Sequence, residues 1–454
     1  MAHLTGQPQF DAPPQAWLPL PDAAVRRVSF HTLGPVLWRE GRLDALALAA
    51  AIAFVPISIA LSESFLSIAL LSHLMQILGR GAAWSVPRVF WFWLAWAGLE
   101  LVSCAVSPEP EAGRGEISHL LLLGALFVVM PALAKPAWAV MTWRGLLAAA
   151  SLGALFLVGD VISRLVYYRR ELSVDPDPSL YLRTGGLLNH WMVFGTVEIV
   201  VFAGILAFSH TYAEQRRFWI PVLALNGIAI VVSLTRMVWV CCFALLEADL
   251  FWHRSKWRWA GFLIPLALFA LGPGFVRARI KVSLQPGYYA NAERIQMLRV
   301  GWKMVKEHPL WGVGPGRVAE LYRHYLSPAD AVPAYYGHLH NNVAQIAAQF
   351  GVPVAAAAVL VLAVLFLDIR KAWRAAPADR ERQFLCRAGA LGLAGFTLSG
   401  LFDYTSGQSL GLIIVSFACL APLIPGSIPA SEIEGETPTP TTLHHATCRR
   451  SRCK

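Results

Sequence analysis

About twelve apolar segments of bilayer-spanning length recur along this chain, and nothing constrains its fold more. They lie near 43–62, 65–80, 88–106, 117–134, 144–163, 187–208, 218–233, 236–252, 258–273, 342–367, 384–402 and 406–424. A chain of 454 residues that is 56% hydrophobic and 15% charged cannot hide so much apolar surface in a water-soluble core. Only helices satisfy their own backbone in lipid at this span length, so the expected class is an all-α polytopic membrane protein. Residues 1–35 are rich in proline and polar and lack the basic-then-apolar order of a cleaved leader, so the first span is expected to direct insertion.

Loop charge sets the expected orientation. Arg80 and Arg88; Lys135 and Arg144; Arg216 and Arg217; Arg254, Lys256 and Arg258; and Arg370 to Arg382 fall on one side, which the positive-inside rule assigns to the cytoplasm. The acidic SPEPEAGRGE connection falls on the other. The expected order is a cytoplasmic segment at 1–42, nine spans within 43–273, an external loop at 274–341, three spans within 342–425, and a disordered cytoplasmic tail at 426–454. The formal charge of +10 is then mainly a topology signal, and nucleic acid is not an expected partner. The external loop still carries nine Lys/Arg against four Asp/Glu, which suits acidic partners. Cys104, Cys241, Cys242, Cys386 and Cys419 lie in spans and read as small apolar residues. The tail pattern HHATC (His444, His445, Cys448) offers metal ligands, but its Pro, Thr and Ser content reads first as disorder.

Ionisable groups in or beside spans are candidates for function. Glu198 lies within the sixth span, and Glu247 and Asp249 near the inner end of the eighth, where contact with headgroups is the plain explanation. Arg183 in YLRTGGLLNHW, Arg236 in SLTRMVW and the 274–341 loop all fall at the external face. A planar guanidinium fork suits a pyrophosphate, although a single membrane-edge arginine more simply snorkels to the headgroups. The segment Arg294–His308 reads as an amphipathic helix. Its apolar face would be Ile295, Leu298, Trp302 and Val305, with Arg299, Lys303 and Lys306 elsewhere. The glycines of HPLWGVGPGR then turn the chain sharply. His338 and His340 precede the tenth span, where Asn341 or Asn342 is an N-cap and Gln345 completes a capping box. That helix start would favour an anion, and either histidine suits a general base. No complete ligand set for a metal is visible, since no acidic cluster stands near the histidines in sequence.

HPLWGVGPGR with Arg294 before it, HLHNNVAQIAAQFGVP, SLTRMVW and YLRTGGLLNH together resemble the O-antigen ligase and polymerase superfamily, over about residues 180–365. One departure is Gln349, where many relatives carry an acid. The resemblance implies a metal-independent, inverting glycosyltransferase with a GT-C-like membrane fold of about twelve transmembrane helices. Its amphipathic loop helix would be periplasmic, and both termini cytoplasmic. It implies residence in the bacterial inner membrane, undecaprenyl-pyrophosphate-linked O-antigen as donor, lipid A–core as acceptor, membrane lipids around it, and no cofactor. Arg183, Arg236 and Arg294 would hold the pyrophosphate, with Arg299, Arg317 and Asn341 as further contacts. His338 would activate the acceptor hydroxyl, with His340 as the alternative. A polymerase or a protein O-oligosaccharyltransferase of the same superfamily, and a lipid or polysaccharide transporter, are the competing readings. The ligase is preferred because lipid A–core is heavily phosphorylated and only about thirty polar residues follow Pro425, too few for an added soluble domain.

Overall fold

The computed structural model describes residues 42–80, 86–133, 135–171, 181–259, 261–285, 287–327 and 337–424. The segments 1–41 and 425–454, with the HHATC pattern, lie outside the described residues. Everything described is helix, turn or coil, with no strand among those residues. The helices are α1 Leu43–Phe54, α2 Ile59–Arg80, α3 Val89–Ala105, α4 Ser118–Val129, α5 Pro136–Glu171, α6 Trp191–Thr211, α7 Arg216–Val232 and α8 Arg236–Trp252. They continue as α9 Leu263–Leu271, α10 Gly274–Ser283, α11 Tyr289–Glu307, α12 Arg317–Leu321, α13 Asn342–Phe350, α14 Val352–Ala375, α15 Arg380–Ser399 and α16 Ser409–Leu420.

Four of these, α2, α5, α6 and α14, are long and apolar enough by themselves to cross a membrane. Shorter apolar helices, among them α1, α3, α4 and α16, accompany them, so the expected twelve spans are not reproduced one for one. Two departures have clear local causes. The expected ninth span, 258–273, is only the nine-residue α9, and the chain bends by 117° into α10 at Gly272-Pro273-Gly274. Proline there supplies no N–H for a continuous helix. The expected tenth span, 342–367, is broken at Gly351, whose φ of 100° belongs to the left-handed half of the map. A Cβ at that position would collide with the Leu310 carbonyl oxygen, so the break and the preceding turn are built together.

Helix α6 is the central pillar. Within its apolar window 89% of the residues are buried, against 22–39% in the other three long helices. It packs on α5, α7, α8, α15 and α16. Gly395 lets α15 approach closely, since a Cβ there would press on Ile199 of α6 and Leu245 of α8. The five span cysteines are buried and free, as small core residues.

Helix α11 corrects the expected amphipathic face. Met297, Val300, Met304 and Val305 are buried, whereas Ile295, Leu298 and Trp302 are exposed. The helix carries two apolar faces, and periodicity alone could not say which one packs inward. Gly301 rests against Leu339, which ties α11 to the chain between the two histidines. The GVGPG turn behaves as its composition predicts. Gly312, Gly314 and Gly316 all have positive φ, and the N–H groups of Val313 and Gly314 donate to Ala348 and Gln349 carbonyls.

Candidate active site

Four arginines from four separate segments meet at one end of the helix bundle. Arg183 precedes α6, Arg236 opens α8, Arg279 lies in α10 and Arg294 in α11. They line a cavity of about 410 Å³ together with His190, Tyr288, Glu293, His338, His340, Asp403 and Gln408. None of the four makes an ion pair among the described residues. They are held instead by neutral groups. Arg183 lies over the Trp191 ring at 4.4 Å, and Arg236 lies 4.9 Å from the Tyr288 ring centre and donates to Asn291 Oδ1 at 2.8 Å. Arg279 donates to the Tyr288 hydroxyl at 2.8 Å. Burial, then the charges of Arg279, Arg294 and Arg236, pull Arg183 down to about 9, and burial likewise lowers Arg294. Crowding of like charge in a low-dielectric cavity is costly until an anion enters.

The loops that present these arginines are fixed by local chemistry. The Thr184 hydroxyl donates to Asp160 of α5 at 2.6 Å and accepts from the Gly186 N–H at 3.1 Å, which locks the turn beside Arg183. Leu234, two residues before Arg236, is buried with φ of 55°, and its carbonyl accepts from Arg279 Nε at 3.4 Å. A branched residue in that region is strained, and the packing around it supplies the compensation.

His340 also has positive φ, 49°, and its Nδ1 sits 2.7 Å from Asp403 Oδ1. Asp403 belongs to the short connection between α15 and α16. Burial raises this carboxyl, but the hydrogen bond and charge of His340, with the charge of His338, outweigh it and hold Asp403 below its ordinary value. The carboxylate therefore fixes the tautomer, with Nδ1–H donating and Nε2 left as the basic nitrogen. His338 packs edge-on to His340 with ring centres 4.3 Å apart, and its Nδ1 accepts the His340 N–H at 3.4 Å. Burial, then the neighbouring His340, lowers His338 to about 4, so it is neutral near physiological pH and a weak proton acceptor. His338, His340 and Asp403 have ligand atoms within 4.8 Å of one another, so the acidic group expected to be missing from the histidine pair is supplied by the fold.

Gln345 holds the histidine segment in place. Its Oε1 accepts from the Leu339 N–H at 2.8 Å, and its Nε2 donates to Gln349 Oε1 at 2.8 Å. The expected capping box is thus replaced by a longer reach, with Asn341 alone capping α13 through its side chain on the Ala344 N–H at 2.9 Å. Gln349 stands where an acid was noted in relatives, and here it completes this amide chain.

The structure gathers Arg183, Arg236, Arg294, His338 and His340 in one cavity and leaves Arg299, Arg317 and Asn341 off it. Arg299 is exposed, because five residues along a helix place it roughly 140° from Arg294. Arg317 pairs with Glu109 at 3.3 Å and donates to the Val313 carbonyl, which braces the glycine turn. Asn341 is spent on the cap and on the Leu401 carbonyl. At the N-terminus of α13 the Asn342 N–H donates to the Gly400 carbonyl and the Ala344 N–H to Asn341 Oδ1. Arg279 and Asp403 escaped sequence reading. Asp403, in the connection LFDYTSG between two expected spans, was the one available signal.

These features define a class: a multi-pass helical membrane protein with an arginine-rich cavity beside a carboxylate-oriented histidine. Residues 221–359 match the family model Wzy_C, described as O-antigen ligase, as the motif resemblance implied. That range holds Arg236, Arg279, Arg294 and both histidines. The match supports a function of O-antigen ligase or polymerase type. No curated protein sequence matches the chain.

Proposed function

We propose that the chain transfers a glycan from undecaprenyl pyrophosphate to a sugar hydroxyl of lipid A–core at the periplasmic face of the bacterial inner membrane. The carrying observation is the meeting of four guanidiniums, without ion pairs among the described residues, and the His340–Asp403 pair in one cavity. An apolar groove of about 980 Å³ between α7, α8, α9 and α10 supports this reading. Arg236, Asn291 and Arg294 line it too, which is the arrangement needed to hold a pyrophosphate at the head of a polyprenyl tail.

The chemistry follows from the placements. Arg183, Arg236, Arg279 and Arg294 bind the pyrophosphate with forked hydrogen bonds. His340 Nε2 takes the proton of the acceptor hydroxyl, whose oxygen attacks C1 of the sugar. The C1–O bond to the carrier breaks on the opposite side, and the electron pair leaves with the pyrophosphate, so the anomeric centre inverts. The arginines gain most as that charge develops. The surroundings favour His340 over His338 as the base: His340 has the carboxylate, and His338 positions it.

Purified protein given undecaprenyl-pyrophosphate glycan and lipid A–core, with EDTA and without nucleotide, is expected to form glycosylated core. Loss of product on chelation, restored by one divalent ion in protein carrying His210→Ala and His253→Ala, would show that the His338–His340–Asp403 group works through a metal. A strain lacking the protein is expected to accumulate lipid-linked polymer of normal length over bare core, read on gels of both lipids. Core bearing a single repeat would make the protein a polymerase, and unchanged glycan on both lipids a transporter.

A further inference from the structure

The opposite end of the bundle carries a second cluster that the transfer chemistry does not use. His210 closes α6, 18 residues beyond Met192 of the arginine cavity, which is roughly 27 Å along a helix. Asp249 lies in the last turn of α8 and His253 caps it. His210 Nε2 is 2.6 Å from Asp249 Oδ2, and His253 Nε2 is 3.9 Å from Asp249 Oδ1. The two imidazoles stack with centres 4.2 Å apart and planes 22° from parallel, so both present Nε2 to the same carboxylate. We propose that His210, His253 and Asp249 bind one divalent transition-metal ion of the Zn²⁺ type.

Three observations carry this beyond a chance gathering. All three ligand atoms lie within 4.8 Å of one another, so small side-chain rotations bring them onto one ion. Asp249 is 2% exposed, and its Oδ2 meets His210 Nε2 at 2.6 Å, so a buried carboxylate and an imidazole are already held face to face. The other oxygen, Oδ1, accepts Arg387 Nη2 of α15 at 2.7 Å, which orients the carboxylate as an outer partner does in metal sites. Arg387 also cancels the carboxylate charge, so the site is weaker than a two-histidine, one-carboxylate site lacking an arginine. The histidine side chains are 24% and 30% exposed, which leaves a path for the ion and for water as a fourth ligand. The plain role expected for Asp249, contact with headgroups, is excluded by its burial and its pairing.

The test uses full-length protein carrying His444→Ala, His445→Ala and Cys448→Ala, so that the tail adds no ligands. Metal-free protein is titrated with Zn²⁺ against a chromophoric chelator, and Co²⁺ is followed by its visible ligand-field bands. One ion per chain is expected, with binding at least about tenfold weaker in His210→Ala and in His253→Ala. His338→Ala/His340→Ala should bind as the parent does. Zn²⁺ should raise the thermal midpoint of the parent and leave that of His253→Ala unmoved. The proposal is overturned if no Zn²⁺ binds, if both single variants bind normally, or if binding disappears with the His338 and His340 pair. Glycan transfer is not a readout here, so this result and the transfer reading stand or fall separately.

Discussion

His340→Ala is expected to lower the rate of transfer by about 10²–10⁴-fold while donor binding persists. The cause is removal of the imidazole that Asp403 orients at 2.7 Å. Asp403→Asn should reproduce much of the loss, since an amide can present its N–H to Nδ1 and stabilise the wrong tautomer. His338→Ala should be milder, because His338 sits near 4 and holds the His340 segment rather than the proton. Single-turnover rates with a separate donor-binding measurement decide this. Loss of transfer in His338→Ala with an active His340→Ala would move the base two residues back. Tolerance of both, in protein that is folded and inserted, would remove histidine from the mechanism.

The second large effect belongs to the arginines. Arg236→Ala and Arg294→Ala should weaken donor binding and slow turnover together, because the charge they meet exists in the bound donor and grows in the transition state. Arg236→Lys should recover only part, since an ammonium lacks the fork and Arg236 is oriented by Asn291 and Tyr288. Arg299→Ala and Arg317→Ala are the contrasting controls. The first should be near neutral, and the second should act through the glycine turn and appear as lowered thermal stability. Equal loss of donor binding in Arg299→Ala and Arg236→Ala would mean that bulk positive charge, not the cavity, attracts the donor.

Much of this site was legible in the chain because arginine at an apolar boundary stands out against its surroundings. Arg183 and Arg236 announce themselves between hydrophobic runs, and the glycine spacing of HPLWGVGPGR demands the turn that is found. Proximity in a motif does not fix side-chain direction, however, and that is why Arg299, Arg317 and Asn341 were expected in a cavity they do not line. Asp403 stands sixty-three residues after His340, in a connection whose packing depends on Asn342 and Gly400 meeting across helices. Arg279 was one more basic residue in a basic loop until the 117° bend after α9 carried it under Leu234. The twelve expected spans are not reproduced one for one among the described residues for a related reason. Hydropathy registers apolar length, and it cannot register where Gly272-Pro273-Gly274 or Gly351 breaks a helix.

The wall shared by the polar cavity and the apolar groove has a kinetic consequence on this reading. Arg236 and Arg294 face both spaces, so a lipid-borne donor can arrive sideways from the bilayer while a water-facing acceptor arrives through the polar mouth. Two substrates with separate doors do not block one another. The spent carrier can back out along the groove without waiting for the long glycan product to clear, and order of addition need not be imposed by the protein.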